Sequence, residues 1–430
     1  MKKIVTTGSI ALALIGAGVK NSSAAGFALI EQNGSGMGNA FAGAAAVAED
    51  ASTIFFNPAG MAMIPSAQVV VAGHAINFKA DFSDAGSSLP LAAQAIGRPK
   101  GKLHDDAGDL FLIPNLYFVL PINERIAVGL GLNAPFALKT EYEDLWVGRF
   151  QGIKTELKTI NVNPALSLKV NERIMLGVGI DYQMADATLT NAVILPGPNE
   201  GRAKLEVDDS SWGWNAGALF KLGDDMRVGV SYRSAIKYTL DGDIKVSFLN
   251  GVPVAPASGG TKVDITFPDS ASLSVVQSYG PQWDLLGDVT WTHWSRIGTI
   301  NAVNTTTGAL RDVLRFNFND TWRISFGANY RPNSQWTIRG GIAWDQSPVD
   351  KEDRTVRLPD QDRYWVAVGV KWMPMPKLGV DLGYAHLFVP DADINLTRNQ
   401  VGGTVATAST VRGSYEGGID ILSLQLTYSF

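Results

Sequence analysis

The chain has 430 residues, 45 of them Gly and none Cys, with 18% charged residues and a formal net charge of -5. The weak acidic balance offers no basic surface for a nucleic acid. Without thiols there is no disulfide framework, no thiol nucleophile and no thiolate metal site.

At the N-terminus, Lys2 and Lys3 precede an apolar run over 4–19 and the small residues "NSSAAG". This pattern predicts a secretory signal over 1–25, cleaved after Ala24 or Ala25. The run falls short of the roughly 20 residues that a spanning helix needs. No later apolar run reaches helix length without interruption. Any membrane residence must therefore be by β-barrel, the other structure that pairs all its backbone groups in lipid.

Residues 26–65 include "GSGMGNAFAGAAAVAEDASTIFFNPAGM", which suits neither a helix nor a strand. Phe27, Leu29, Ile30, Phe41, Ile54, Phe55 and Phe56 make it too apolar for a solvated tail. Irregular backbone at membrane depth has to be buried in protein or line a cavity. The expectation is a plug folded inside the lumen. Its turn at Asn57, Pro58, Ala59 and Gly60 combines an Asn that bonds neighbouring backbone, a Pro with fixed φ and no donor, and two small residues, which should hold the plug in a defined shape.

From residue 66 onward the pattern is of strands. Runs near 67–82, 109–122, 125–139, 153–170, 173–189, 211–222, 226–247, 262–278, 282–297, 314–330, 336–347, 361–373, 378–394 and 414–430 predict an all-β, 14-stranded antiparallel transmembrane β-barrel over 66–430. In "LSLQLTYSF", Leu422, Leu424, Leu426, Tyr428 and Phe430 alternate with polar residues. Elsewhere Ile174 to Tyr182, Phe316 to Tyr330 and Tyr364 to Trp372 alternate with Gly177, Gly179, Asp181, Asn317, Arg323, Ser325, Arg363 and Lys371. A hydrated lumen accepts such neighbours where an apolar core would not.

Short turns such as "PINER", "VNER", "LGDD" and "PMPK" alternate with longer connections over 190–209, 250–261, 300–310, 348–359 and 395–412. Short periplasmic turns and long outer loops are the asymmetry of outer-membrane barrels. Trp146, Trp212, Trp214, Trp283, Trp291, Trp294, Trp336 and Trp344 are candidates for the interfacial girdles.

A barrel of this size leaves a lumen that something must control. Apolar residues in two outer loops, Val193, Ile194 and Leu195 with Phe248, Leu249 and Val252, are the candidate capture groove. Asp181, Arg233, Asp288, Arg323, Arg339 and Lys371 are candidate lumen charges, expected to pair and brace wall against plug. One cation left over would fix a carboxylate. The histidines, His74, His104, His293 and His386, lie on separate segments with no triad or metal spacing, so neither an enzyme nor a cofactor is expected. In "GLNAPFALKT", Pro135 cannot donate to a ladder and requires a bulge, a bend or an unpaired position.

The plug segment, together with "GLNAPFALKTEYEDLWVGRFQGIKTELKTINVNPALSLKVNERI" and the terminal aromatic, resembles the FadL-type outer-membrane transporters of long-chain fatty acids and hydrocarbons. The resemblance implies an N-terminal hatch in a fourteen-stranded barrel, capture at the outer loops and passive diffusion. It also implies an inward kink in the third strand, making Asn133, Ala134, Pro135 and Phe136 the wall of a lateral opening. The implied setting is the outer membrane of a Gram-negative bacterium. The implied partners are a hydrophobic small molecule, membrane lipid and lipopolysaccharide, and the barrel assembly machinery, with the chain a monomer. The rival reading is a polar-solute diffusion porin, which needs an open lumen.

Overall fold

In a computed structural model, the described residues are 26–195, 199–401, 403 and 405–430. The predicted signal over 1–25 lies outside them. Fourteen antiparallel wall strands close on themselves, because the first pairs along its whole length with the last.

The strands are β1 (Gln68–Asp84), β2 (Asp109–Pro121), β3 (Ile126–Asn133 and Ala137–Glu141), β4 (Lys154–Asn171), β5 (Ile174–Leu195), β6 (Asn199–Lys221) and β7 (Met226–Arg233 and Ile236–Phe248). They continue with β8 (Gly259–Phe267 and Ser270–Tyr279), β9 (Trp283–Thr292 and Thr299–Asn304), β10 (Leu310–Arg315 and Thr321–Tyr330), β11 (Trp336–Asp345), β12 (Arg363–Met375), β13 (Leu378–Arg398) and β14 (Ser409–Ser429). A short strand, His104–Asp106, pairs with the upper end of β1.

The alternation runs inside out relative to a soluble protein. On β14, Leu422, Leu424 and Leu426 stand exposed while Ser423 and Gln425 are fully buried. Lipid is the solvent for the outer face, so apolar side chains gain by facing it, and polar ones find partners inside. Trp212, Trp214, Trp283 and Trp336 face outward as girdle residues do. Trp146 and Trp294 do not. Trp146 stacks on Tyr142 at 3.8 Å within the outer loops, and Trp294 packs on Phe27 in the lumen.

Three other expectations are corrected. The connection over 190–209 is no loop: β5 and β6 extend as one hairpin, paired from Ile174↔Phe220 to Leu195↔Asn199. The sixth strand accordingly starts at Asn199 rather than 211. Residues 316–320 interrupt β10, which turns Phe318 inward and leaves Asn317 exposed with φ of 44° instead of facing the lumen.

Residues 26–65 fold inside the barrel as α1 (Gly34–Met37), α2 (Ala44–Val47), α3 (Thr53–Phe56) and a 3-10 turn (Pro58–Met63). Asn33 caps α1 by accepting from Gly36 N. Ala40, Phe41 and Ala48 hold positive φ, which short helices joined by tight reversals impose even on non-glycine residues.

Candidate transport pathway

The plug is fastened to the wall by polar groups that have left water. Gly34 N donates to Gln425 Oε1 at 2.8 Å, and Gln425 Nε2 donates to Asp50 Oδ2 at 2.8 Å. Arg339 pairs with Glu49 at 2.8 Å and Asp381 at 3.2 Å. Lys371 is half-buried in the field of the same two carboxylates. Arg323 donates to Ala40 O at 2.9 Å and lies 5.0 Å from the centre of the Trp365 ring. Arg233 pairs with Asp181, which also accepts from Asn161 and Asn215. Asp288 accepts from Ser274 and from Thr290. Each of the six lumen charges therefore meets polar or charged neighbours on the inner face.

Asn57 is fully buried where the plug meets β6. Its Nδ2 donates to Ala45 O at 2.7 Å and Ala218 O at 3.0 Å, and its Oδ1 accepts from Ala59 N at 3.0 Å. Pro58 and Ala59 lie directly on Gly177 of β5, where an added Cβ would come within 2.2 Å of Ala59 N. No larger residue fits there. Gly60 is buried in the same turn.

Three chambers follow one another from outside inward. An outer vestibule of about 270 Å³ is lined by Val193, Leu195, Ile244, Arg311, Asp312 and Arg398 among others. Below it an apolar pocket of about 90 Å³ is bounded by Phe27, Leu138, Leu157, Leu205, Phe267 and Phe316, and Asp312 borders both spaces. A central cavity of about 150 Å³ reaches Pro135, Phe136, Arg233, Asp288, Arg323 and Phe55. Phe27, Phe136, Phe267, Trp294 and Phe318 form the partition between pocket and cavity, with ring centres such as Phe27–Trp294 at 4.7 Å and Phe136–Phe267 at 4.9 Å.

The six capture candidates do not share one surface. Val193 and Leu195 line the vestibule, whereas Ile194 points away and is tied through its backbone to Gln400. Phe248 packs against the apolar cluster beneath, and Leu249 and Val252 stand exposed at the tip of the β7–β8 hairpin. Sequence reasoning missed the arginines around them. Arg398 pairs with Asp312, but Arg311 spends two nitrogens on the carbonyls of Ala257 and Ser258. Arg357, on the β11–β12 loop, is fully buried and lines neither space, bonded to Lys154 O, Thr155 Oγ1 and Thr190 O. Among the described residues neither Arg311 nor Arg357 makes an ion pair. Burial pulls Arg357 down to about 9, with Arg398 adding to the shift and Asp312 opposing it, so it stays charged at neutral pH.

At Pro135 the wall departs from its ladder. β2 pairs with β3 only from Leu116↔Leu132 to Pro121↔Ala127. Above that rung, Asn133, Ala134, Pro135 and Phe136 turn inward and join the plug: Leu29 N donates to Pro135 O at 2.8 Å, Ala137 N to Phe27 O at 2.9 Å, and Gln32 Nε2 to Ala134 O at 2.9 Å. Residues 110–115 of β2 consequently face no ladder partner in β3. The Pro at the break costs no ladder donor because none is used there.

The histidines each find one neighbour: His74 with Ser423, His104 with Ser83, His293 with Asp269 and His386 with Asp420. None of these contacts holds both a Ser and an Asp, and no metal-holding cluster occurs among the described residues.

A closed barrel with an internal plug and stacked apolar and polar chambers defines an outer-membrane transport protein. The sequence profile described as "Outer membrane protein transport protein (OMPP1/FadL/TodX)" matches residues 16–430, and the chain belongs to that family. It is 30% identical to the long-chain fatty acid transport protein of Escherichia coli O6:H1 over 414 residues, 88% of this chain and 90% of the relative. It is likewise 30% identical to outer membrane protein P1 of Haemophilus influenzae over 411 residues, 87% of this chain and 88% of the relative. Among solved structures it resembles a Pseudomonas aeruginosa FadL homologue, with a TM-score of 0.85, 25% identity, and coverage of 94% of this chain and 100% of the other. The toluene transporter TbuX of Ralstonia pickettii shares the fold, with a TM-score of 0.65 at 16% identity, over 90% of this chain and 95% of the other. The protein therefore resides in the outer membrane, and its relatives are transport proteins rather than enzymes.

Proposed function

We propose that the protein carries hydrophobic molecules passively through the outer membrane, and that long-chain fatty acids suit it better than neutral hydrocarbons. The ligand is captured in the vestibule, lowers its chain into the apolar pocket, passes the aromatic partition as the hatch over 26–65 yields, and leaves sideways at Asn133–Phe136. The observation that carries this reading is the unpaired stretch of wall between residues 110–115 and the kinked third strand. A greasy ligand leaving there enters lipid without exposing apolar surface to water, a saving of roughly 25 cal/mol per Å². The axial route is unfavourable by the same reasoning, because the layer of Glu49, Arg339, Lys371 and Asp381 lies across it.

The choice of fatty acid rests on the vestibule. Arg311 offers the vestibule a guanidinium without an acid of its own, above a pocket whose walls are almost wholly apolar. A carboxylate head group with an alkyl tail matches both halves. The porin reading requires an open lumen, and the plug occupies it. Uptake of labelled oleate and of labelled toluene or alkane should be compared in cells with and without the protein. Expression should raise oleate uptake most; no gain for either class rejects the proposal. A short crosslink from Pro135→Cys to a cysteine on β2 should stop uptake, and undiminished uptake would favour a straight passage to the periplasm.

A further inference from the structure

Above the kink the wall closes again, by an ion pair and one backbone hydrogen bond rather than by a ladder. The register that sets Leu116 opposite Leu132 would, if continued, set Asp109 opposite Lys139. There the Lys139 ammonium donates to Asp109 Oδ2 at 2.7 Å and lies 3.1 Å from Glu141 Oε2. Two residues higher on each strand, Glu141 N donates to Ala107 O at 3.3 Å. Between this clasp and the Leu116–Leu132 rung β2 and β3 share no ladder rung, and side chains pack into the seam, among them Phe111, Ile113, Ala134, Ala137 and Leu29.

The clasp is asymmetric. The Lys139 side chain is 12% exposed, whereas those of Asp109 and Glu141 are 42% and 47% exposed, so the cation is enclosed and its acids stand at the rim. Leu110 and Leu112, just below Asp109, face outward at 53% and 60% exposure, which puts the seam in the apolar band and the clasp at its outer limit. An amphiphile lying in the outer leaflet has the same layout, with its chain in the band and its head group at the interface.

We propose that Lys139 is the release residue for an acidic ligand. The carboxylate of the departing molecule takes the place of Asp109 on the Lys139 ammonium, so one carboxylate acceptor is exchanged for another. The exchange unfastens the upper border of the seam while the chain slips between Phe111 and Ala134 below. A neutral ligand has nothing to exchange and gains nothing from Lys139. This inference rests on the lateral exit proposed above.

The test compares uptake of a long-chain fatty acid with that of its methyl ester, the same chain without the charge. Lys139→Gln should slow fatty acid uptake about tenfold, with ester uptake unchanged, and Lys139→Arg, which keeps the cation, should remain near wild type. Equilibrium binding of the acid to purified Lys139→Gln should equal wild type, since capture happens elsewhere; a purely structural role would disturb barrel stability and both substrates together. A double variant Asp109→Cys and Lys139→Cys, whose thiols are the only two in the protein, should take up the methyl ester normally until bridged by a short bifunctional maleimide, and lose that uptake once bridged. Wild-type fatty acid uptake in Lys139→Gln, or equal slowing of acid and ester, overturns the role of Lys139. If the Pro135→Cys crosslink blocks uptake in that case, the lateral route stands and only the release residue fails; if that crosslink is without effect, the route itself fails.

Discussion

Replacing Asn57 by Ala should unseat the plug while leaving the barrel intact. The side chain makes three hydrogen bonds, to Ala45 O, Ala218 O and Ala59 N, in a place with no exposure. Ala218 O loses little, because it lies in a ladder between β5 and β7. Ala45 O and Ala59 N are left buried beside a small void, at about 1–3 kcal/mol each. A loss of about 2–6 kcal/mol in seating follows, and since 1.4 kcal/mol is a factor of ten, the unseated fraction should rise by roughly 30-fold or more. Gly177→Ala attacks the same contact from the wall side, where the new methyl would stand 2.2 Å from Ala59 N. Hydrogen exchange read by mass spectrometry on detergent-purified protein reports residues 26–65 separately from the strands. Faster exchange there, unchanged exchange in β12–β14 and measurable single-channel conductance are expected for both variants. Wild-type protection over 26–65 in both would mean that the Asn57 turn does not hold the plug.

Arg311→Gln should weaken capture of oleate several-fold and leave capture of its methyl ester unchanged, as read by equilibrium binding to purified protein. Asp181→Ala leaves Arg233 and two asparagines facing an empty site, and loss of one partner from a buried pair costs about 3–5 kcal/mol; the thermal transition of the barrel, followed by gel mobility, should fall. Ala134→Trp would fill the seam beside Phe111 and Ile113, so surface expression should persist while uptake drops below a tenth. Trp294→Ala removes the largest ring of the partition, at about 3–5 kcal/mol of packing, and should increase passage of neutral hydrocarbons more than that of acids.

Lipid made much of this molecule legible in its sequence. Wherever a strand crosses the membrane its outward residues must be apolar, so Leu422, Leu424 and Leu426 announce both a strand and its face. The β5–β6 hairpin escaped that criterion above the membrane, where outward residues meet water. There Lys204, Glu206 and Asp208 face out while Ala203, Leu205 and Val207 face in. The period of two is still present, but its sign has reversed. Pro135 marked the break in β3 because a missing donor is a local property. The gap beside it was invisible, since it depends on which residues of β2 find no partner across the chain. Arg311 and Arg357 were hidden for a similar reason: nothing local says that an arginine will spend its nitrogens on carbonyls instead of a carboxylate.

The interruptions in β7, β8, β9 and β10 fall at neighbouring positions around the wall, after Arg233, before Ser270, after Thr292 and before Thr321. Below them Asn215 faces Arg233 and Ser270 faces Thr292, while above them β6 with β7 and β8 with β9 pair in a shifted register, as Asp208 with Asp241 and Val263 with Ala302; β7 with β8 keeps one register throughout, from Ser270 with Arg233 to Ile236 with Phe267. In engineering terms this is an expansion joint. Residues gained or lost in the outer half are absorbed there before they reach the part of the wall that has to match the thickness of the membrane. The receptor-like top of the barrel can therefore be rebuilt for a differently shaped ligand while the lipid-embedded cylinder, and the seat of the plug within it, keep their registration.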